Sequence, residues 1–453
     1  MHNIAESPRM PRGTQLRLLT ITAALLAAAL FSATAAQAWT YKVIHSFCTK
    51  PSCTNGYLPV SRLLLDSAGN LFGTASGGGK VGGGLVFELE RDGSRWRYHI
   101  LHASSDSDDI DSPLIMDVGG NLYGTTVFGG KYHQGSAYEL LRPQDGGRWK
   151  QQILHHFCAV DFCPDGSQVE GGLTYAGAAT GALYDGMSPL FGIAQTGGRS
   201  DERGYGTVYE LTHKPGSSHW HQKVIYAFCP ENNCSSGIHP SRGGLLIDNV
   251  GNIFGGAAFG GSANGAGTLF ELSPSGKSWT ETALYTFCTT LPCSDGAYPY
   301  GGLIMDGSGS LLGTTSAGGN DCPNEDGGCG VAFKLVPNGA LSTYSLLYTF
   351  CALDGCTDGR HPSAGLLRDS SGHLLGMTSE GGDPDALGDE WGSGTVFHLA
   401  QGEKVLRSFC RKASCVDGAI PAGGLIPDAA GNLFGVAEYG GKSNAGVVFE
   451  LSP

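Results

Sequence analysis

One phrase of the sequence recurs seven times, and this repetition limits the chain to architectures built from a small repeated unit. The phrase is clearest as Asp66-Ser-Ala-Gly-Asn70-Leu-Phe-Gly-Thr74. A Gly-Gly pair and then an aromatic-x-Leu run such as Phe87-Glu-Leu89 follow each copy. The seven copies, of which the third is the most divergent, begin at Asp66, Asp117, Tyr184, Asp248, Asp306, Asp369 and Asp428.

Each repeat predicts four short strands. An apolar run such as GGLIMD (301–306) is the first strand, and the Asp-x-x-Gly-Asn segment after it is a hairpin turn. The runs NLFGTT, GTVFEL and LLYTF, or their variants, supply strands two, three and four, and no segment shows a helical period. Glycine makes up 73 of the 453 residues, which is typical of many tight turns. The predicted fold is all-β, a seven-bladed β-propeller with four antiparallel strands per blade.

The two ends of the repeat region are out of phase with each other. Residues 39–48 read as a fourth strand without its first three, and residues 447–453 read as a third strand without its fourth. The N-terminal strand is therefore expected to complete the last blade and close the ring, which removes the free sheet edge. Residues 39–453 are predicted to form this single propeller.

The repeat phrases resemble a known family. The segments DGAYPYGGLIMD, NLYGTTVFGG and GTVYEL are similar to the GloVer tandem-repeat family of secreted bacterial proteins, over residues 41–453. The resemblance implies a propeller-like structure and says little about activity.

Residues 1–38 have the features of a secretory signal. Arg9, Arg12 and Arg17 precede an apolar run over residues 18–31, and small residues end the segment at Ala38. We therefore expect a secreted or periplasmic protein, without membrane insertion after signal cleavage. The net charge of −13 gives no basic surface for nucleic acid. The sequence leaves the oligomeric state open.

The fourteen cysteines predict disulfides, as in other exported proteins. Twelve of them form six C-x4-C pairs between strand four and the next strand one, while the seventh pair lies in a different loop. Bridges within a blade and between blades both remain open. The six C-x4-C pairs are Cys48 and Cys53, Cys158 and Cys163, Cys229 and Cys234, Cys288 and Cys293, Cys351 and Cys356, Cys410 and Cys415, and the seventh pair is Cys322 and Cys329.

Departures from the repeat mark candidate sites. We call the segment that connects strand four of one repeat to strand one of the next a seam. One seam has aspartates where the others have cysteines. Because Ca²⁺ prefers several carboxylate oxygens from a flexible loop, this segment is a candidate calcium site, and a solvated acidic loop is the alternative. Its candidate ligands are Asp106, Asp108, Asp109 and Asp111.

Two long loops in repeats five and six combine carboxylates with a tryptophan, a set suited to binding sugar hydroxyls and stacking on sugar rings. A solubilising rim is the alternative. The candidate binding residues are Asp321, Glu325, Asp326, Asp383, Asp385 and Trp391, and Asp389 and Glu390 are candidate catalytic residues.

Five repeats have a proline shortly before strand one, and the residue before it is expected to face the channel mouth. These residues are Leu58, His239, Tyr298, His361 and Ile420. His239 and His361 are candidate acid–base groups. Tyr298 is a candidate binding residue, and Arg242 and Arg360 are candidates for binding an anionic group.

No catalytic signature appears in the sequence. The leading prediction is a propeller that binds a glycan or a surface protein without catalysis. Two alternatives remain: a polysaccharide hydrolase or lyase, and a purely structural secreted module.

Overall fold

Short strands arranged in seven sheets build the computed structural model of the chain. The structure describes residues 39–104, 108–199, 204–214, 219–230, 234–320, 322, 327–362, 364–384, 392–400 and 402–453. Within this range, Tyr41–Ser452 form one compact unit. The predicted signal, residues 1–38, lies outside the described residues. No helix of the described segments has the length and apolar content needed to cross a bilayer.

The strands follow the predicted four-strand repeat, and the first strand of a blade is usually only two residues long. The N-terminal strand is β1 (Thr40–Ser46). Blades 1 to 3 contain β2 (Leu64–Leu65), β3 (Leu71–Ala75), β4 (Leu85–Asp92), β5 (Arg95–Ala103); β6 (Ile115–Met116), β7 (Leu122–Thr126), β8 (Ser136–Leu141), β9 (Lys150–His156); β10 (Leu173–Thr174), β11 (Leu190–Ala194), β12 (Thr207–His213) and β13 (Trp220–Ala227).

Blade 4 has an additional short strand, and blade 7 lacks a fourth strand of its own. Blades 4 to 7 contain β14 (Ile238–Pro240), β15 (Leu246–Ile247), β16 (Ile253–Phe259), β17 (Thr268–Ser275), β18 (Ser278–Thr286); β19 (Ile304–Met305), β20 (Leu311–Thr315), β21 (Val331–Val336), β22 (Thr343–Thr349); β23 (Leu367–Arg368), β24 (Leu374–Thr378), β25 (Thr395–Leu399), β26 (Glu403–Ser408); β27 (Ala419–Pro427), β28 (Leu433–Tyr439) and β29 (Val447–Ser452). The helical segments described are short 3₁₀ turns at Pro51–Cys53, Ala178–Thr180, Asp354–Cys356 and Ala413–Cys415.

The ring closes as predicted. In the last sheet the strand order is β1-β29-β28-β27, so the N-terminal strand is the fourth strand of blade 7. The backbone N–H of Phe47, just beyond β1, donates to the carbonyl of Gly446 (3.0 Å). The seven-bladed propeller with four antiparallel strands per blade is confirmed.

The apolar core lies between neighbouring blades. A buried phenylalanine after strand four inserts against the strand-three aromatic residue of the next blade. Six seams contain this pair, with ring centroids 4.9–5.4 Å apart: Phe47–Phe87, Phe157–Tyr209, Phe228–Phe270, Phe287–Phe333, Phe350–Phe397 and Phe409–Phe449. In the seam between blades 1 and 2, Ser104 replaces the phenylalanine, and the buried Tyr138 hydroxyl has no hydrogen-bond partner among the described residues.

The glycine of the repeated Leu-Phe-Gly-Thr phrase makes room for that strand-three aromatic ring. Gly313 pairs with Phe333 in the antiparallel ladder, and a Cβ at Gly313 would lie 2.8 Å from Cζ of that ring. The other six blades pair Gly73 with Phe87, Gly124 with Tyr138, Gly192 with Tyr209, Gly255 with Phe270, Gly376 with Phe397 and Gly435 with Phe449. Two separate repeat motifs are thus one packing unit.

Glycines also allow the blades to approach one another around the central channel. A Cβ at Gly243 would lie 2.2 Å from the backbone nitrogen of Gly302 in the next blade. A Cβ at Gly302 would in turn lie 2.6 Å from the carbonyl oxygen of Gly243. The Gly-Gly-Leu segments therefore pack backbone against backbone, which brings the residues just before them to the channel.

All seven cysteine pairs form disulfides, and no described cysteine is free. The predicted pairs are confirmed, and of the two connectivities that the sequence left open the structure has the local one, with each bridge inside a single loop. Disulfides are typical of proteins of an oxidising compartment. The bonds join Cys48 to Cys53, Cys158 to Cys163, Cys229 to Cys234, Cys288 to Cys293, Cys322 to Cys329, Cys351 to Cys356 and Cys410 to Cys415.

The loops between strands two and three, which contain the Gly-Gly pairs, pack on the loops that contain the C-x4-C pairs. We call these the Gly-Gly loops and the cysteine loops. The Gly198 N–H donates to the Cys163 carbonyl (2.8 Å), and the Gly261 N–H donates to the Cys234 carbonyl (3.0 Å). In blade 5 the Gly319 N–H donates in the same way to the Cys293 carbonyl (2.9 Å). Both loop classes therefore share one face of the disc, which we call the cysteine face.

Candidate functional site at the channel mouth

A left-handed residue leads into each blade on the cysteine face. We call this the seam position, and its φ lies between 52° and 58° in all seven blades: Leu58, Asp109, Gln168, His239, Tyr298, His361 and Ile420. Its backbone ties two blades together, since the Tyr298 N–H donates to the Ala266 carbonyl of blade 4 (2.8 Å). A left-handed conformation costs a non-glycine residue of order 1–3 kcal/mol. Packing at the seam must offset that cost.

The residue two positions further along lies beside the channel, and we call it the ring position. In the six blades where it is described, it is Val60, Asp111, Glu170, Ser241, Tyr300 and Ala422, and the ring position of blade 6 lies outside the described residues. Blade 4 has one more residue before its leucine than the other blades, and the added residue is Arg242. Charged or aromatic side chains thus come from blades 2, 3, 4 and 5, which are consecutive.

Arg242 is the positive centre of this group. Its Nε lies 2.6 Å from Oε2 of Glu170, a close ion pair that is not aligned as a hydrogen bond. Glu170 is 6% exposed and Arg242 is 62% exposed, so the pair joins a buried carboxylate to an open guanidinium. Burial raises the pKa of Glu170, while Arg242 acts in the opposite direction.

The charges of three more carboxylates interact with that of Arg242. Burial together with Glu170 and Asp109 raises the pKa of Asp111 to about 7. Burial likewise raises the pKa of Asp109 and of Glu438, and Arg242 opposes both shifts. Because Glu438 belongs to blade 7, the charges of Arg242 and this carboxylate interact across the channel. Four carboxylates from blades 2, 3 and 7 therefore lie close enough to Arg242 for their charges to interact with it.

An arc of half-buried aromatic rings borders the charged group on the side of blades 3 to 5. Phe259 lies at its centre, with ring centroids 5.3 Å from Tyr298, 6.1 Å from Tyr300 and 6.0 Å from His239. Tyr205 extends the arc at 6.2 Å from His239. Arg242 influences the pKa of Tyr300, which burial raises, so the arc and the charged group are contiguous.

A cavity of about 340 Å³ lies on the other side of the charged group, at the seam between blades 1 and 2. Its walls are Tyr57, Leu58, Ser76, Gly77, Gly82, Gly83, Asp109 and Phe128. Asp109 belongs to both the cavity and the charged group. The cavity, the charged group and the aromatic arc form one surface, which we call the mouth site.

The candidate histidines occupy equivalent positions in blades 4 and 6. The Nδ1 of His239 lies 3.0 Å from the Gln195 carbonyl oxygen, and that of His361 lies 2.8 Å from the Ser316 carbonyl oxygen. Carbonyl oxygens accept hydrogen bonds, so Nδ1 carries the proton in both rings. The Nε2 of His361 lies 3.8 Å from Cys322 Sγ, whereas the His239 ring lies in the aromatic arc.

The two candidate arginines have different environments. Arg242 lies in the mouth site as described. Arg360 is 5% exposed, and its guanidinium pairs with Glu380 at 2.5 Å. The structure therefore places Arg242 at a ligand-accessible surface and Arg360 inside blade 6.

The aspartates of the cysteine-free seam point to different partners. Asp108 accepts a hydrogen bond from Ser104, while Asp109 and Asp111 belong to the mouth site. Among the described residues, their carboxylate oxygens are not part of a three-ligand group within 4.8 Å. Asp106 lies outside the described residues, and the calcium site stays a prediction.

The two long loops are described only in part. Asp383 forms an ion pair with Arg411 at 2.8 Å, and both side chains are largely exposed. The sugar-binding role of these loops stays a prediction, because the other candidates lie outside the described residues: Asp321, Glu325, Asp326, Asp385, Asp389, Glu390 and Trp391.

Sequence reasoning missed Glu170, Glu438 and Tyr300. Repeats two and three have no proline next to the seam position, which hid the equivalence of Asp109 and Gln168 with the other five residues. An alignment on the Leu of strand one would have revealed the ring position. Glu438 lies near the end of strand two of blade 7, so only the closed ring brings its charge near that of Arg242.

Comparison with protein families agrees with the repeat pattern. The model described as the Gloeobacter/Verrucomicrobia repeat matches residues 178–388. Residues 178–388 thus carry the Gloeobacter/Verrucomicrobia repeat. The resemblance to the GloVer family is confirmed, and the matched segment extends from blade 3 into blade 6, with the aromatic arc inside it. Comparison with curated proteins finds no significant match.

Solved structures similar to this chain have low sequence identity to it. PorZ, a surface component of the type-IX secretion system of Porphyromonas gingivalis, has 12% identity and a TM-score of 0.47, over 86% of this chain and 46% of PorZ. This chain thus spans about half the length of PorZ. The polysaccharide lyase Uly1 has 9% identity and a TM-score of 0.47, over 87% and 90% of the two chains. A Trypanosoma rangeli sialidase has 9% identity and a TM-score of 0.42, over 91% and 59%.

Proposed function

We propose that this repeat protein is an exported carbohydrate-binding module whose ligand binds at the mouth site. The observation that carries the proposal is the break in repeat symmetry: charged groups from blades 2, 3, 4 and 7 lie beside an arc of aromatic rings from blades 3 to 5. The ring positions of blades 1 and 7, Val60 and Ala422, have small apolar side chains. A scaffold alone gives no reason for this difference between blades.

The chemistry of the mouth site suits a sugar. Carboxylates accept hydrogen bonds from hydroxyl groups, and the Arg242 guanidinium donates them. The faces of Tyr298 and Tyr300 offer apolar area to the C–H face of a pyranose ring, as in ligand sites that combine aromatic walls with a few polar groups. The cavity beside Asp109 extends the surface beyond a single sugar unit.

The charge of the site favours neutral or amino sugars over uronates and sialic acids. Even where Asp111 is protonated, the three other carboxylates outnumber the guanidinium of Arg242, and like charges repel an anionic ligand. The sequence predicted a glycan ligand, and the charge of the mouth site adds that this glycan is neutral or positively charged. It also argues against the anion-binding role expected for Arg242, because Glu170 already neutralises that guanidinium.

A panel of oligosaccharides tests the proposal. Chitohexaose and cellohexaose are expected to bind the full chain more tightly than hexagalacturonate in titration calorimetry. Tyr298→Ala and Tyr300→Ala are each expected to weaken that binding about tenfold or more, since aromatic contacts at the centre of a site commonly exceed 1 kcal/mol.

Tyr132→Ala is the matched control, because it removes another half-buried tyrosine from the Gly-Gly loop of blade 2. Its affinity is expected to equal that of the unmodified chain. Equal losses of affinity in all three variants would reject the mouth site as the binding site. No binding of any oligosaccharide would favour a purely structural module.

A second candidate function, glycan cleavage, rests on Asp111. Its pKa of about 7 leaves much of the carboxyl group protonated near neutral pH, as a general acid requires. Glu170 and Asp109 supply further carboxylates at the same site. A glycosidase needs two such groups on opposite sides of the scissile bond.

The pH dependence of this candidate has a defined sign. A general acid acts in its protonated form, so any cleavage rate is expected to fall as the pH rises through about 7. Asp111→Asn is expected to lower the rate by about 100-fold or more. Release of reducing ends from soluble polysaccharides measures it. A rate that Asp111→Asn leaves intact would exclude Asp111 as the acid.

A further inference from the structure

The face opposite the cysteine face has a repeated hydrogen-bond arrangement in the hairpin turns. In each hairpin turn between strands one and two, an aspartate uses Oδ1 to accept backbone N–H groups, as Asp248 does from Val250 (3.0 Å) and Asn252 (2.8 Å). Its Oδ2 then receives a side-chain donor. In blades 1, 2, 4 and 7 this donor is the asparagine amide four residues on, at 2.8–3.0 Å.

Blade 6 has different residues at two positions of this arrangement. His373 replaces the asparagine, and His398 replaces the glutamate of the Phe-Glu-Leu run. The ladder register pairs His398 with Leu375, which places it next to the turn although it is 25 residues from His373. The backbone N–H groups of Ser371 and His373 still bind Oδ1 of Asp369, at 2.8 and 2.9 Å.

The two imidazoles converge on the remaining carboxylate oxygen. Nδ1 of His373 lies 3.4 Å from Oδ2 of Asp369, and Nε2 of His398 lies 3.5 Å from the same atom. One nitrogen or oxygen atom from each of the three residues lies within 4.8 Å of the others. The imidazole rings are perpendicular, with centroids 5.0 Å apart.

These separations fit a metal better than they fit hydrogen bonds. An N–H···O hydrogen bond is normally about 2.7–3.2 Å long. A tetrahedral zinc ion with bonds of about 2.0–2.1 Å separates its ligand atoms by about 3.3–3.4 Å. The observed 3.4 and 3.5 Å are close to this tetrahedral edge.

The surroundings also suit an ion taken up from solution. The side chains of Asp369, His373 and His398 are 30%, 42% and 24% exposed, so an ion has access to them. The backbone N–H groups on Oδ1 hold the carboxylate with Oδ2 toward the rings, as outer hydrogen bonds do in metal sites.

We propose that Asp369, His373 and His398 form a binding site for a divalent metal ion of the zinc type. Two imidazole nitrogens and one carboxylate oxygen supply three ligands, and solvent or a bound molecule completes the coordination. Two cations lie near: Lys404 pairs with His398 in the ladder, and the Arg368 guanidinium lies beside Gly372. Their charges oppose the ion and limit its affinity.

Titration of the full, metal-free chain with Zn²⁺ at pH 7.5 tests this site independently of the sugar proposal. One equivalent is expected to bind, and binding is expected to weaken as the pH falls and the imidazoles are protonated. The double variant His373→Asn/His398→Glu restores the residues that other blades have at these positions. It is therefore expected to fold normally and to lose at least about 100-fold in affinity at this site.

A gain-of-function variant is the matched control. Asn252→His/Glu271→His builds the same set around Asp248 in blade 4, and a second equivalent of Zn²⁺ is expected to bind. A chain without Zn²⁺ binding, or a double variant that retains the full affinity with an unchanged circular dichroism spectrum, overturns the proposal. Failure of the blade 4 variant to bind a second ion also counts against it, since the three side chains would then be insufficient.

Discussion

Phe287→Ala is expected to lower the free energy of unfolding by about 3–5 kcal/mol, the largest effect of any single substitution considered. Phe287 is fully buried at the seam between blades 4 and 5. Its ring packs against Phe333 at 5.4 Å and against Tyr285 at 5.0 Å. Removing it loses the transfer free energy of a phenyl group and leaves a cavity between two sheets that cannot close around it.

Leu341→Ala is the matched control for this experiment, because Leu341 is 79% exposed and belongs to the neighbouring blade. Its free energy of unfolding is expected to remain within about 0.5 kcal/mol of the unmodified chain. Chemical denaturation monitored by tryptophan fluorescence measures both. A loss near 0.5 kcal/mol for Phe287→Ala as well would show that the phenylalanine does not hold the seam.

Most of the fold could be predicted because it depends on local patterns that recur. The Asp-x-x-Gly-Asn turn encodes a hairpin at Asp66, and the same letters encode it again at Asp428. The phase offset between the two chain ends predicted the closed ring. The aromatic seams were harder to foresee, since the contact between Phe287 and Phe333 joins two blades and no spacing within one repeat indicates it.

The mouth site could be predicted only in part, for a physical reason. Departures from the repeat pointed to Asp109, Asp111, Arg242 and Tyr298 one by one, but sequence gives no distance between blades. The charge of Glu438 interacts with that of Arg242 only because the ring closes. The zinc-type site shows the same limit, since the strand register brings His373 and His398 together.

Gly376→Ala is expected to destabilise the chain by about 1–3 kcal/mol, although it adds only one methyl group. A Cβ at this position would lie 2.4 Å from Cζ of Phe397, whose ring is fully buried. The ring cannot swing away, because Phe350 packs against it at 5.0 Å from blade 5. The added methyl group therefore forces strands two and three of blade 6 apart.

Gly307→Ala is the control, since no atom lies within 4 Å of a Cβ there and the backbone is not left-handed. It is expected to be neutral or to stabilise by up to about 1 kcal/mol, through the less flexible unfolded chain. Adding Phe397→Leu to Gly376→Ala removes the clashing ring edge. The loss in the free energy of unfolding of the double variant is then expected to be about 1 kcal/mol smaller than the sum of the losses of the two single variants. Strict additivity would contradict the inference that the glycine and the aromatic residue of each blade form one packing unit.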